Sequence, residues 1–204
     1  MSSFTQGLIF GFGIAVPVGP IGMLCLRRSV NDGRLTGLIS GLGAATADAL
    51  YGIVAALGLT AVTDILLRYQ QALHLVGGLF LIGLGLLTFR AKPSGEAART
   101  PTPTGLLSAY LTVFLLTLSN PMTIITFLGF FTFTGVTVAT PNIASSLLLV
   151  LGVFLGSATW WVILSFTAGA LRHRLQTRGL RFLNIFSGLI ITAFGVWQLA
   201  QFRL

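Results

Sequence analysis

Residues 14–28 read IAVPVGPIGMLCLRR: an apolar run broken by Pro17-Val18-Gly19-Pro20 and closed by Arg27 and Arg28. Asn120-Pro121 interrupts a second apolar stretch, Gly105 to Thr134, in the same way. Proline removes a backbone donor and crowds the preceding turn, and in hydrocarbon every freed amide or carbonyl must find a partner in protein, water or ligand. Such breaks are therefore costly at membrane depth. Broken helices of this kind line solute cavities, so the two interruptions mark where a solute would sit.

Working outward from them, the chain is 54% hydrophobic and only 8% charged, with 25 glycines in 204 residues, and its mean hydropathy is +0.93. These values exclude an ordinary soluble domain and predict an all-α integral membrane protein. About 20 apolar residues suffice to cross a bilayer. Six stretches qualify: Phe4 to Leu26, Leu35 to Val62, Leu73 to Phe89, Gly105 to Thr134, Ser145 to Leu171 and Phe182 to Phe202. The first lacks a basic leading segment and carries Pro and Gly inside its apolar run, so it reads as a retained span rather than a secretory signal. The fourth, longer than a straight crossing requires, fits either a strong tilt or a break at Pro121.

A net charge of +8 in a soluble protein would suggest nucleic acid, but here the basic residues sort by link. Arg27, Arg28 and Arg34 lie between the first two spans, Arg90, Lys92 and Arg99 between the third and fourth, and Arg172, Arg174, Arg178 and Arg181 between the last two. The intervening links hold Arg68 and, between Thr134 and Ser145, no charge. The positive-inside rule then predicts cytoplasmic basic links and both termini outside the inner membrane of a bacterial cell. Membrane lipid is the partner these links suit, and no nucleic acid is expected. The single cysteine, Cys25, allows no intramolecular disulfide and no redox pair, which argues against a membrane thiol oxidoreductase.

Three spans precede the Pro- and Gly-bearing link and three follow it, so the second half enters the membrane from the opposite side to the first. The predicted organisation is two inverted-topology three-helix repeats, 1–89 and 105–204, joined by a cytoplasmic linker at 90–104, with the first and fourth helices broken. Faint matches accompany it: Gly78-Leu79 and Gly85 recur as Gly188-Leu189 and Gly195, and Gly19-Pro20 answers Asn120-Pro121. Inverted repeats place a site near the midplane between paired broken helices.

Asp48 is the only acidic residue well inside a span. A carboxylate at the bilayer centre costs about 2.5–3.5 kcal/mol on insertion scales, so it is a candidate for binding a substrate ammonium or for accepting a coupling proton. It also lies on the small-residue stripe Gly37, Gly41, Ala45, Asp48, Gly52 and Ala55, where a structural role at a helix contact is the alternative. Tyr51, one turn away, can donate to it. In the fourth span Thr112, Ser119, Thr123 and Thr126 share a face; such hydroxyls commonly bond back to their own helix. Asn120 and Thr123 stand out because Pro121 frees backbone beside them. Trp160, Trp161 and Trp197 read as packing or interfacial residues, with Trp160 a further candidate for the pathway. Gly152 and Gly156 suit a helix contact or a dimer contact. His74 and His173 have no metal-ligand company, so no metal and no cofactor is expected, and no nucleophile with a base lies at depth, so no enzyme activity is expected.

The PVGPIG run with Leu24 and Arg27-Arg28, the stretch from Gly41-Leu42-Gly43 to Asp48-Ala49-Leu50-Tyr51-Gly52, and Ser119-Asn120-Pro121 resemble the LysE family of translocators, the bacterial lysine and threonine exporter group. The resemblance covers essentially the whole chain. It implies secondary, commonly proton-coupled export of amino acids or related solutes by a homodimer. The family's first-span region falls on Pro17, Gly19 and Pro20, its acidic position on Asp48, and its Asn-Pro on Asn120 and Pro121. Many members carry Lys directly after Asn-Pro, whereas this chain has Met122, which removes a charge partner for Asp48 or for a substrate carboxylate.

The resulting expectation is an exporter working by alternating access, with Pro17, Gly19, Pro20, Asp48, Tyr51, Asn120, Pro121 and Thr123 around the solute and Asp48 coupling the proton. The alternatives are a non-amino-acid or metal cargo, and a non-transporting membrane protein of the same fold.

Overall fold

The computed structural model describes residues 2–16, 19–56, 68–90, 102–120, 123, 126–127, 143–171 and 177–201. Pro17 and Pro121, Met122 and most of the 90–104 linker lie outside the described residues, as does most of the fourth span beyond Asn120.

Seven helices make up nearly all of what is described: α1 Ser3–Ala15, α2 Pro20–Asn31, α3 Arg34–Ala56, α4 Gln70–Arg90, α5 Pro103–Leu118, α6 Ile143–Leu171 and α7 Thr177–Ala200. Their ends follow local chemistry. The Ser2 hydroxyl caps α1 by accepting from the Thr5 amide, and Thr102 caps α5 through the Gly105 amide. Pro20 and Pro103 sit at the first helical position, where proline's fixed φ suits the helix and its missing N–H is no loss. Gly33, at φ 104°, makes the tight turn between α2 and α3, a conformation that residues with a β-carbon rarely adopt.

The first span is broken where the sequence places the break: α1 and α2 meet at 79°. Helices α3, α4, α6 and α7 are each long and apolar enough to cross a membrane, and α1 with α2 makes a fifth candidate span. The apolar segment Thr104–Leu118 is too short to cross alone, because regular helix ends just before Asn120. Two boundaries differ from the sequence expectation. Arg27 and Arg28 belong to α2 rather than to a link, and α7 starts at Thr177, which makes Arg178 and Arg181 helical.

Close approach through small residues sets the packing. A β-carbon on Gly7 or Gly11 of α1 would strike the backbone of α6 at Leu149 and Val153, and one on Gly152 or Gly156 would strike α1 at Phe4 and Leu8. The Gly152–Gly156 pair is thus used within the chain, and α1 and α6 run parallel. Helix α3 runs antiparallel to α6, with Gly41 against Trp161 and Gly52 beside Val150. It runs parallel to α5, where Gly43 meets the Tyr110 carbonyl and the Tyr51 hydroxyl donates to the Leu118 carbonyl at 2.5 Å. In the antiparallel pair α4–α7, a β-carbon on Gly195 would lie 2.9 Å from the Gly78 carbonyl oxygen and one on Gly188 would lie 2.8 Å from that of Gly85.

The main core joins Met23, Leu24, Cys25, Ala44, Ala45, Val113, Trp161 and Ile191 at the centre of the bundle. Large apolar side chains such as Leu87, Val76, Leu147 and Phe182 point outward, as expected where the solvent is lipid tail rather than water. Hydroxyls are largely satisfied locally: Thr112 donates to the Ser108 carbonyl at 2.6 Å and Ser119 to that of Leu115 at 2.7 Å.

Candidate functional site

Where α1 gives way to α2 and where α5 ends, the bundle holds a partly open cavity of about 1050 Å³. It is bounded by the second half of α1, the start of α2, the first half of α4, the end of α5 with the residues after it, and the last two turns of α7. The two interruptions thus open into one space. Gly19, Pro20, Asn120 and Thr123 all line it. The Asn120 amide donates to the Thr117 carbonyl at 3.2 Å, and the Asn120 carbonyl accepts from the Thr123 amide at 3.1 Å, so the chain turns at Asn120 instead of continuing as straight helix. Elsewhere in the lining, α2 begins at Pro20 with Gly19 as its N-cap and no side-chain cap. Its first-turn amides therefore belong to a helix N-terminus, the end that favours negative charge.

The remaining wall is mostly apolar. Phe10, Ile14, Leu81, Leu116, Phe194 and Trp197 supply it, and Ser119, Thr126 and Gln198 add polar groups. Gln198 is buried and donates to the Leu73 carbonyl at 3.2 Å, tying α7 to the start of α4. Phe194 and Trp197 meet edge to face, with ring centroids 6.3 Å apart. Gly13 and Gly19 have no atom within 4 Å of where a β-carbon would sit, so both leave free room.

Asp48 and Tyr51 are not among the lining residues. Asp48 is buried between α3 and α6, where its Oδ2 accepts from the Ser157 hydroxyl at 2.8 Å. That hydroxyl in turn accepts from the Trp161 indole N–H at 3.1 Å. Tyr51 gives its proton to the Leu118 carbonyl, not to Asp48, and its ring packs on Phe127 with centroids 5.5 Å apart. Tyr51 thus grips the last turn of α5 just before the Asn120 turn. Asp48 sits in a separate polar chain deeper in the bundle.

Sequence reasoning named neither Ser157 nor Gln198, nor the aromatic wall of Phe10 and Phe194. Trp197, which the sequence suggests as a packing or interfacial residue, lines the cavity, whereas Trp160, the pathway candidate, is not among the lining residues and packs edge to face on Phe12 with centroids 5.8 Å apart. One signal could have found Ser157: it follows Asp48 by 109 residues, close to the spacing between Gly78 and Gly188.

At the far end of α2 the two arginines tie it to three other helices. Arg28 donates to the Ser40 hydroxyl and to the Ala109 carbonyl, each at 2.9 Å. Arg27 donates to Asn184 Oδ1 at 3.1 Å, and the Asn31 amide reaches the same oxygen at 2.6 Å. Among the described residues there is no group of three His, Cys, Asp or Glu side chains able to hold a metal ion.

Comparison with known proteins agrees with this architecture. The chain is 26% identical over 205 residues to the protein named "Putative amino acid efflux protein YcgF" of Bacillus subtilis (strain 168), covering 97% of this chain and 95% of that one. It is 31% identical over 173 residues to the chemotactic transduction protein ChpE of Pseudomonas aeruginosa, covering 78% and 79% of the two chains. It is 30% identical over 145 residues to the uncharacterized membrane protein YahN of Escherichia coli (strain K12), covering 69% and 63%. No solved structure matches. The family model described as LysE type translocator matches residues 12–201; with a helical bundle whose two breaks open into one cavity, the chain belongs to the LysE type translocators, a family of membrane transporters and not of enzymes.

Proposed function

We propose that this protein exports amino acids or related small polar solutes across the bacterial inner membrane, by alternating access and with coupling to protons. The observation that carries the reading is the shared cavity, built from the α1–α2 break on one side and the Asn120 turn on the other. Transporters of this construction offer unwound backbone and half-helix termini to the solute. Gly19, Pro20, Asn120 and Thr123 would hold the polar end of the cargo. Pro17 and Pro121 complete the two breaks in this reading.

Two inverted three-helix repeats, 1–89 and 105–204 about the linker 90–104, underlie the mechanism. Helix directions support this: α1 is parallel to α6, α6 antiparallel to α3, and α3 parallel to α5, so α1 and α5, which lead the two halves, run oppositely. Exchanging the halves also maps the α1–α6 contact onto that of α5 with α3. The glycine pairs of α4 and α7 support it as well, because Gly78 meets Gly195 while their repeat mates Gly188 and Gly85 meet each other. With the basic links in the cytoplasm the cavity would face outward, and the arginine contacts of α2 would close the inner end.

Asp48 is assigned to the proton. Its position outside the cavity lining, on the α3–α6 contact, favours that role over holding a substrate ammonium. An entering proton supplies about 2.3 kcal/mol per 100 mV. A homodimer is part of the proposal, with Gly152–Gly156 excluded from its interface because α1 covers that pair.

Purified protein in proteoliposomes provides the test. Counterflow of labelled amino acids that depends on the protein, with accumulation driven by an imposed proton gradient, is the expected result. A complete absence of counterflow across an amino-acid panel would overturn the exporter reading.

A further inference from the structure

Among the described residues, none of the side chains that line the cavity is ionisable. Between Arg99 and Arg172, the interval that contains α5, the Asn120 turn and α6, the sequence holds no acidic, basic or histidine residue. Asp48, the acid nearest the middle of the bundle, is turned towards Ser157 and lies outside the lining. A cargo with a charged side chain would therefore meet no counter-charge from these lining residues, and their mostly apolar surface penalises an unpaired charge heavily.

The polar groups are unevenly placed. Ser119, Asn120 and Thr123 cluster at the end of α5 and just beyond it and share the cavity with the uncapped start of α2, Thr126 and Gln198 add two further polar groups, and Phe10, Ile14, Leu81, Leu116, Phe194 and Trp197 make the rest largely apolar. The ammonium and carboxylate of an amino acid share one carbon, so both fit a single polar patch. The side chain then projects into the apolar part. At about 1050 Å³ the chamber is at the upper end of small-molecule sites, and the open space above Gly13 and Gly19 adds to it.

We propose that the cargo is a neutral amino acid with a bulky apolar side chain, of leucine, phenylalanine or tryptophan type, and that cationic amino acids are excluded. This rests on the exporter reading above and narrows it to a substrate class. Selectivity comes from the lack of a counter-charge and from the aromatic pair Phe194–Trp197.

Competition in proteoliposome counterflow distinguishes the cases. With labelled leucine as the probe, unlabelled phenylalanine and leucine compete, and lysine or arginine is at least tenfold weaker. Phe194→Glu places a carboxylate in the wall and raises lysine exchange relative to leucine at least tenfold, a gain that damage to the fold does not produce. Gly13→Leu fills open space, and phenylalanine exchange falls relative to alanine. Equal competition by lysine in the unaltered protein, or no gain in Phe194→Glu while leucine still exchanges, overturns the cargo assignment and leaves the exporter reading standing. No exchange of any amino acid overturns the exporter reading and this assignment with it.

Discussion

The Ser157 hydroxyl donates to Asp48 Oδ2 at 2.8 Å, joining two residues 109 positions apart in the sequence. The contact ties α3 to α6 at the centre of the bundle. Trp161 completes it by donating to the same serine oxygen at 3.1 Å. A buried polar group is stable only with its partners in place, so these three side chains act as a unit.

Ser157→Ala removes the donor and leaves the Asp48 oxygen buried. The expected loss is about 1–3 kcal/mol of stability, read as a lower unfolding temperature in detergent. Ser157→Thr, which keeps a hydroxyl, should recover part of it. No change in Ser157→Ala would show that water or another group already satisfies the carboxylate.

Asp48→Asn keeps the size of the side chain and a hydrogen-bond acceptor but not the ionisable proton. Its expected signature is retained counterflow with loss of gradient-driven accumulation and of its pH dependence. Accumulation that still follows the proton gradient in this variant would remove Asp48 from the coupling step.

The α4–α7 contact makes a contrasting pair. Gly195→Ala places a methyl group 2.9 Å from the Gly78 carbonyl oxygen, and overpacking of this kind costs about 1–3 kcal/mol. Gly83 lies on the same helix as Gly78 with no atom within 4 Å of an added β-carbon, so Gly83→Ala should be neutral or mildly stabilising, in line with alanine's higher helix propensity. Thermal unfolding of both variants checks the prediction.

Arg28→Ala cuts the ties from α2 to Ser40 and Ala109. Cys25, fully buried one turn earlier and the chain's single cysteine, is a built-in reporter. Its labelling by a maleimide should accelerate about tenfold in Arg28→Ala, and less in Arg28→Lys, which keeps the charge without the forked donor geometry. Unchanged labelling would show that these bonds do not hold the inner end closed.

The sequence was informative about the elements and much less so about their company. Pro20, Gly19 and Asn120 announced both interruptions because proline and the loss of backbone partners are local chemistry, readable without neighbours. The stripe from Gly37 to Gly52 announced a helix contact, and α3 packs Gly41 and Gly52 on α6 and Gly37 on Ser29 of α2. The Asp48–Tyr51 pairing suggested by one turn of helix did not form, since Tyr51 found the Leu118 carbonyl, on a helix that starts more than fifty residues later. Ser157 carried almost no signal on its own, because one serine in an apolar helix looks like any other.

By itself, then, the sequence determined the solvent, the two points at which helices break and the family. Those follow from apolar content, from proline and from motif, each a property of short stretches. Only the tertiary structure decided that Gly19 and Pro20 share a chamber with Asn120 and Thr123 while Asp48 is turned away towards Ser157. Helical periodicity assigns a residue to a face, but which helix covers that face depends on how glycines let the backbones approach, and that is settled only when all the helices pack together.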